Sequence, residues 1–346
     1  MTSTVEPTRT ALAPTARGPV SDAVIRRLRG LSHTELHPRA EELTEGTPDA
    51  IRDDDLQVAL FALYASSYGS IPDFHADLEW DPVLIETRRI LEGRFESDLR
   101  SAVRAPAIPI ATADAVARAL FGLTGADDGP SLSRFLAKKA TPEQATEFLI
   151  QRSIYTLREA DPHSWAIPRL HGRAKAALVE IQSDEYGGGR PDRVHAEIFA
   201  ASLRAAGLDA TYGAYVDEVP AITLASLNTM SMFGLNRRLL GAIVGHLAAF
   251  EMTSSIPNRF YGDGLRRLGF DATVTDYFDE HVEADAVHEQ IAGRDLAGAL
   301  AEDQPDLLPD IMFGAAACLA VDGWAGANML DAWSAGRSSL RSPETA

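Results

Sequence analysis

The sequence predicts an all-α fold, a bundle of helices without a sheet. Three observations predict it. Apolar residues recur at three-and-four spacing along almost the whole chain, as in helices with one buried face. Cap residues mark several helix starts. Alternating apolar and polar runs between turn signals, which would mark strands, do not occur, and no repeat of fixed period appears.

The spacing predicts helices over 21–32, 53–66, 82–104, 112–123, 142–160, 166–184, 193–206, 210–217, 220–230, 236–255, 261–268, 272–290 and 308–335. Residues 1–20, rich in Thr, Pro and Ala, have too little apolar content to pack and read as a disordered tail; 337–346 reads as a second tail. Asp81 is an N-cap with Pro82 at the first helical position, where a missing N–H breaks no bond. Thr141-Pro142-Glu143-Gln144 is a capping box. The stretch Gly122–Ser131 is a soft joint between an N-terminal helical portion, 21–130, and a C-terminal core, 131–336. The run at 238–250 is apolar nearly all round, so it belongs in the middle of the bundle, which makes the adjacent Glu251 informative.

Composition narrows the function. Of 346 residues, 45% are apolar, ample for a core. Fifty acids against 32 Lys and Arg give a formal charge of −18, a field that repels phosphate backbones and anionic lipid. Nucleic-acid and membrane partners are therefore not expected. Cys318, the single cysteine, cannot form an internal disulfide and reads as a buried small hydrophobe. Sulfur-rich zinc sites are thereby excluded, so any metal must be held by His and carboxylate. No signal-type h-region and no run of ~20 apolar residues is evident, and a cytoplasmic location is expected.

The strongest chemical signal is His281-Val-Glu-Ala-Asp285-Ala-Val-His288. On a helix, positions 281, 285 and 288 fall within about 60° of one another, so two imidazoles and a carboxylate share one face. The alternative is a polar surface stripe. A second signal is Asp184-Glu185-Tyr-Gly-Gly-Gly-Arg-Pro-Asp192-Arg-Val-His195, where three glycines end one helix and the next returns His195 toward Glu185. Asp192/His195 and Asp285/His288 are both Asp-x-x-His pairs. Two such pairs plus a Glu from each of two other helices make the ligand recipe of di-iron carboxylate bundles. Glu251 and Glu159 are the candidates for the lone glutamates, although Glu159 read alone is a solvated helix end. His246, in the apolar helix, reads as a core histidine bonded to a backbone carbonyl. Four carboxylates with neutral imidazoles match two divalent ions, and N/O ligands without sulfur suit iron or manganese.

These residues together resemble the haem-oxygenase-like di-iron oxidases and oxygenases, the bacterial iron-containing redox enzymes. The resemblance rests on Arg158-Glu159-Ala-Asp161-Pro-His163, Asp184-Glu185-Tyr186-Gly187 with His195, Ala249-Phe-Glu251-Met-Thr-Ser254, His281-x3-Asp285-x2-His288 and the closing Gly336–Arg341. It implies a haem-oxygenase-like helical bundle with additional N-terminal helices. It also implies seven metal ligands: Glu159, Glu185, His195, Glu251, His281, Asp285 and His288. Glu185 then replaces Asp192, which becomes a capping or supporting residue.

The implied cofactors are two Fe(II) ions, with O2 as co-substrate. The implied activity is N-oxygenation, or C–H abstraction leading to desaturation, ring closure or C–C cleavage, of an amino acid or amine in specialised metabolism. An external electron donor and a homodimer are compatible with this. Arg152 or Arg158 is the candidate for a substrate carboxylate, against salt-bridged surface roles for both, and Tyr155 and Tyr186 are candidates for the cavity wall, against core packing. The competing readings are an iron store or ferroxidase, which would need a cage assembly, and a metal-free helical interaction protein.

Overall fold

Asp53, Asp81, Ser131, Thr141 and Asp271 each accept a hydrogen bond from a backbone N–H two or three residues ahead, and each starts a helix. A computed structural model describes residues 13–32, 35–125 and 131–341; the side chains of 283–287 are outside that description. The elements are α1 (Pro19–Leu28), α2 (His37–Gly46), α3 (Asp54–Tyr68), α4 (Pro82–Ala102), α5 (Ala113–Thr124), α6 (Leu132–Lys138), α7 (Pro142–Thr156), α8 (Asp161–Ser164), α9 (Gly172–Glu185), α10 (His195–Ala205), α11 (Ala221–Leu235), α12 (Leu240–Arg267), α13 (Ala272–Gln290), α14 (Ala299–Asp303) and α15 (Leu308–Ser334). Short 3-10 turns and a π-helical stretch, Ile291–Gly298, join them, and no strand occurs among the described residues. The fold is all-α, as the periodicity predicts.

The long helices α12 and α15 pack along each other at the centre. Their backbones touch because glycines face the contact: a Cβ at Gly245 would collide with the Ile311 carbonyl, and one at Gly314 with that of Ala242. This close approach fixes the level at which Glu251 leaves the helix. The turn after α12 folds α13 back along it. One apolar core runs from Val20 to Ala325, so residues on both sides of the expected joint share it; residues 126–130 of that joint lie outside the described residues. A second core, around Phe148, Phe199, Tyr277 and Trp333, lies between α7, α10, α13 and α15.

Several boundaries differ from expectation. Helix α2 was not predicted, having few apolar positions besides Ala40 and Leu43, and neither was the short α6. Segment 210–217 is a turn with a 3-10 stretch, Val216–Glu218, and 166–184 is broken before Gly172, whose φ of +54° suits only glycine. The expected helices 236–255 and 261–268 are one, since α12 passes through Pro257; proline there removes one N–H, freeing the Thr253 carbonyl beside a cavity.

Both expected tails are packed over their described parts. Arg17 bonds the carbonyls of Val216 and Val219 and pairs with Asp54 at 2.6 Å, while Asp55 accepts from the N–H groups of Val20 and Ser21. Ser339 bonds Glu147 at 2.7 Å and Gln151 at 2.8 Å. Polar bonds hold these ends together with a few apolar residues, Val20 in the core and Ala13, Ala16 and Leu340 against it, too sparse for hydropathy to register. Residues 1–12 and 342–346 lie outside the described residues.

Two helical spans, Arg237–Arg267 and Pro305–Ser334, are long and apolar enough to cross a membrane by composition, contrary to expectation. Their most apolar windows are 67% and 56% buried inside the protein, consistent with their place in the core.

Candidate metal centre

Residues from four helices and one turn converge between the two cores. Glu159 lies in the turn after α7, Glu185 ends α9, His195 starts α10, Glu251 is on α12, and His281 and His288 are on α13. All six are buried. The return from Glu185 to His195 depends on Gly187, whose φ is +78° and whose Cβ would sit 2.7 Å from the Val194 nitrogen. Directly after His288 and Gln290 the backbone widens into the π-helical stretch, a distortion that accumulates at functional sites.

Glu159, Glu185, His195 and His281 each offer a donor atom within 4.8 Å of the others. Glu185, Glu251 and His288 form a second such group, and Glu185 belongs to both. Glu185 Oε2 lies 3.0 Å from His195 Nδ1, and Glu251 Oε2 lies 3.3 Å from His288 Nδ1. Neither contact has hydrogen-bond geometry: Glu185 Oε2, His195 Nδ1 and His288 Nδ1 are buried without a partner. Buried polar atoms are rarely left so, because each one costs its lost hydration. Imidazole and carboxylate donors gathered within 4.8 Å of one another are what a cation requires, so the donor set fits a metal.

Neighbouring groups orient the imidazoles. His281 Nδ1 donates to the Tyr277 carbonyl at 2.8 Å, which leaves Nε2 facing Glu159 at 3.6 Å. His288 Nε2 donates to Asp184 Oδ2 at 3.0 Å, which leaves Nδ1 for the acids. Tyr277 Oη donates to Glu159 at 2.7 Å and 2.9 Å. His163 Nδ1 donates to the Glu159 carbonyl at 3.1 Å, and its Nε2 meets His246 Nδ1 at 3.2 Å. Such outer contacts fix tautomer and ring direction at metal sites. His246 is thus bonded to a second histidine and not to a carbonyl.

Charge follows the same pattern. Burial opposes charge on Glu185, but His195, His281 and His288 hold its pKa below the ordinary carboxylate value. Burial raises that of Glu251, with Glu185 adding to the rise against His288. His288 is pushed up to about 9: burial works against it, and Glu251, Asp184 and Glu185 outweigh burial.

The chain brings six of the seven expected ligands together. The seventh, Asp285, is on α13, but its side chain is outside the described residues. Asp192 is exposed on the 3-10 turn Pro191–Arg193 and takes no part in either group, so the Asp-x-x-His pattern fails at that pair. Arg158 pairs with Asp161 at 2.9 Å, and Tyr186 Oη bonds Asp161 at the surface. Arg152 and Tyr155, by contrast, line a cavity of ≈360 Å³ that reaches His281 and Tyr277. Asp184 and Tyr277 were not singled out as functional. Adjacency to Glu185 was the available signal for the first, and the one-turn spacing from His281 for the second.

The sequence profile of the iron-containing redox enzyme family matches residues 146–323, which include every residue of both groups. The chain belongs to that family. Its haem-oxygenase-like helical fold, the iron-binding character of its buried His/Glu cluster and its class as an oxidoreductase follow from this membership. The iron-containing redox enzyme is also similar to a nitrosourea synthase of Streptomyces achromogenes subsp. streptozoticus, 29% identical over 192 residues. That match covers 55% of this chain but 41% of the relative, so the chain spans less than half of that protein.

Proposed function

We propose that the chain is an O2-dependent non-haem di-iron oxygenase that oxidises a nitrogen atom of an amino acid or amine. The observation that carries the di-iron reading is Glu185, a carboxylate shared by two groups of buried donors. One group would hold the first Fe(II) through Glu159, Glu185, His195 and His281. The other would hold the second through Glu185, Glu251 and His288, with Asp285 as the remaining ligand. The name of the nitrosourea synthase, whose product class carries an N–O bond, favours nitrogen over carbon as the oxidised atom.

N-hydroxylation of an amine places one oxygen atom on nitrogen and releases the other as water. Two Fe(II) ions held there would supply the two electrons, two protons would complete the water, and an external donor would have to restore the electrons. The chain's own contribution is placement and proton control. Tyr277 lies at the boundary of the cluster and the cavity, and burial lifts its pKa well above the ordinary value, so its Oη keeps a proton and orients Glu159. The mostly apolar cavity wall excludes water from the reacting end.

The test is anaerobic loading with Fe(II), exposure to O2 with a panel of amino acids and amines, and mass spectrometry of the products. A mass gain of one oxygen, retained on nitrogen after fragmentation, is expected with 18O2. Oxygen incorporated only at carbon, or hundreds of irons per assembly without substrate oxidation, contradicts the reading.

A further inference from the structure

Helix α15 contains Gly314, Gly323 and Gly326, and packing accounts for only the first. Gly314 lets α12 and α15 touch, since a Cβ there would collide with the Ala242 carbonyl. At Gly323 a Cβ would meet nothing within 4 Å, and at Gly326 only Leu132 at 3.7 Å, an ordinary contact. Neither residue has a positive φ. A glycine inside a helix lowers stability relative to alanine, because the unfolded chain has more freedom to lose. Nothing in the backbone or the packing offsets that loss at these two positions.

What the two glycines share is the cavity of ≈360 Å³ beside the cluster, which both of them line. Along α15 its wall runs Leu319, Gly323, Gly326 and Met329, in steps of three or four that keep to one helix face. Two bulky side chains thus flank a notch that holds none. Asp322 and Gly323 are exposed at the edge of the cavity, whereas Gly326 is buried, so the room beside it is interior.

Asn258, on α12 in the same wall, points to an occupant. It is 2% exposed, and its Oδ1 has no hydrogen-bond partner. A buried amide oxygen without a donor is costly, so this one calls for an N–H or O–H group from whatever fills the cavity. The volume is that of a small-molecule pocket, which runs from roughly 300 to 1,000 Å³. His281 and Tyr277 line the same space.

We propose that Gly323 and Gly326 are the size-determining residues of this cavity: their notch receives part of the substrate, which Asn258 Oδ1 holds through an N–H or O–H donor. This rests on the functional reading above, which makes the cavity the substrate's, and deepens it by naming what limits the substrate's bulk.

The experiment uses the anaerobic Fe(II)-loaded full chain, without O2, and 1-alkanols from ethanol to 1-decanol as uncharged probes with one O–H donor. Calorimetry gives the affinity of each, and iron uptake and Tm are measured on every sample. For wild type, affinity should rise about fourfold per added CH2 up to a limiting length. Gly323→Leu and Gly326→Leu should each weaken the longest binders about tenfold or more and leave the shortest unchanged. Gly326→Ala should raise Tm by about 1–2 °C with full iron uptake, which a glycine required by packing could not do. The double variant Gly323→Ala/Gly326→Ala, which favours the helix, should weaken the longest binders about fourfold. A fall in Tm for Gly326→Ala, no alkanol binding by wild type, or an unchanged length limit in the variants overturns the proposal, and normal iron uptake in those samples leaves the di-iron reading intact. A length limit that moves in a chain that takes up no iron supports the proposal and overturns the di-iron reading.

Discussion

His288 Nε2 lies 3.0 Å from Asp184 Oδ2, and this contact determines which of its nitrogens faces the buried acids. Asp184 is exposed, on the edge of the site, but it holds the Nε2 proton, so in the neutral imidazole the lone pair is on Nδ1, the atom that faces Glu251. Asp184→Asn is expected to lower Fe(II) affinity at that end about 10- to 100-fold without loss of fold. Anaerobic titration of the variant beside wild type, with circular dichroism as control, checks this.

Iron uptake should depend on pH in a set direction. In the metal-free protein His288 titrates at about 9, raised from 6.5, so at neutral pH it carries a proton that a metal must displace. Affinity should therefore rise with pH, about tenfold per unit for each proton displaced, between pH 6.5 and 8. The sign for metal-free stability is opposite: this histidine's contribution is present below 6.5 and lost as pH rises through about 9. His288→Gln should flatten the uptake curve. Equal slopes for both proteins in Fe(II) titrations would contradict this assignment.

Acid should weaken the fold through the buried pair His163 and His246. Burial lowers the pKa of His163 from 6.5 to about 4 and that of His246 well below its ordinary value, so both are neutral in the native state. A depressed folded value means their contribution is present above 6.5 and lost as pH falls toward 4. For His163 the shift corresponds to a loss of about 3 kcal/mol across that interval. Urea unfolding of the metal-free protein at pH 7 and pH 4.5 measures it, and His246→Phe should reduce the difference.

Gly187→Ala should disconnect the two halves of the site. A side chain at φ +78° costs about 1–2 kcal/mol, and its Cβ would press on the Val194 nitrogen. The return that brings His195 to Glu185 would then shift. A modest fall in Tm with a large loss of iron is expected from paired calorimetry and metal analysis.

These residues also show what the sequence could and could not reveal. The capping box at Thr141 and the proline after Asp81 are local chemistry, and both helices start where the caps place them. The 281–288 face follows from helix geometry alone. Glu185 against Asp192 could not be settled by spacing, because the three positive-φ glycines after Tyr186 decide which acid turns inward. Glu159 looks like a solvated helix end until α13 covers it with Tyr277. Arg152 and Asp322 lie 170 positions apart, and only packing brings them to one cavity.

In the di-iron reading Glu185 belongs to two iron positions at once. Anaerobic Fe(II) titration with Mössbauer spectra of 57Fe should give two irons per chain for wild type. Glu251→Ala should keep one, and Glu185→Ala should lose both. A single iron per wild-type chain at saturation, or two irons retained in Glu185→Ala, would contradict it.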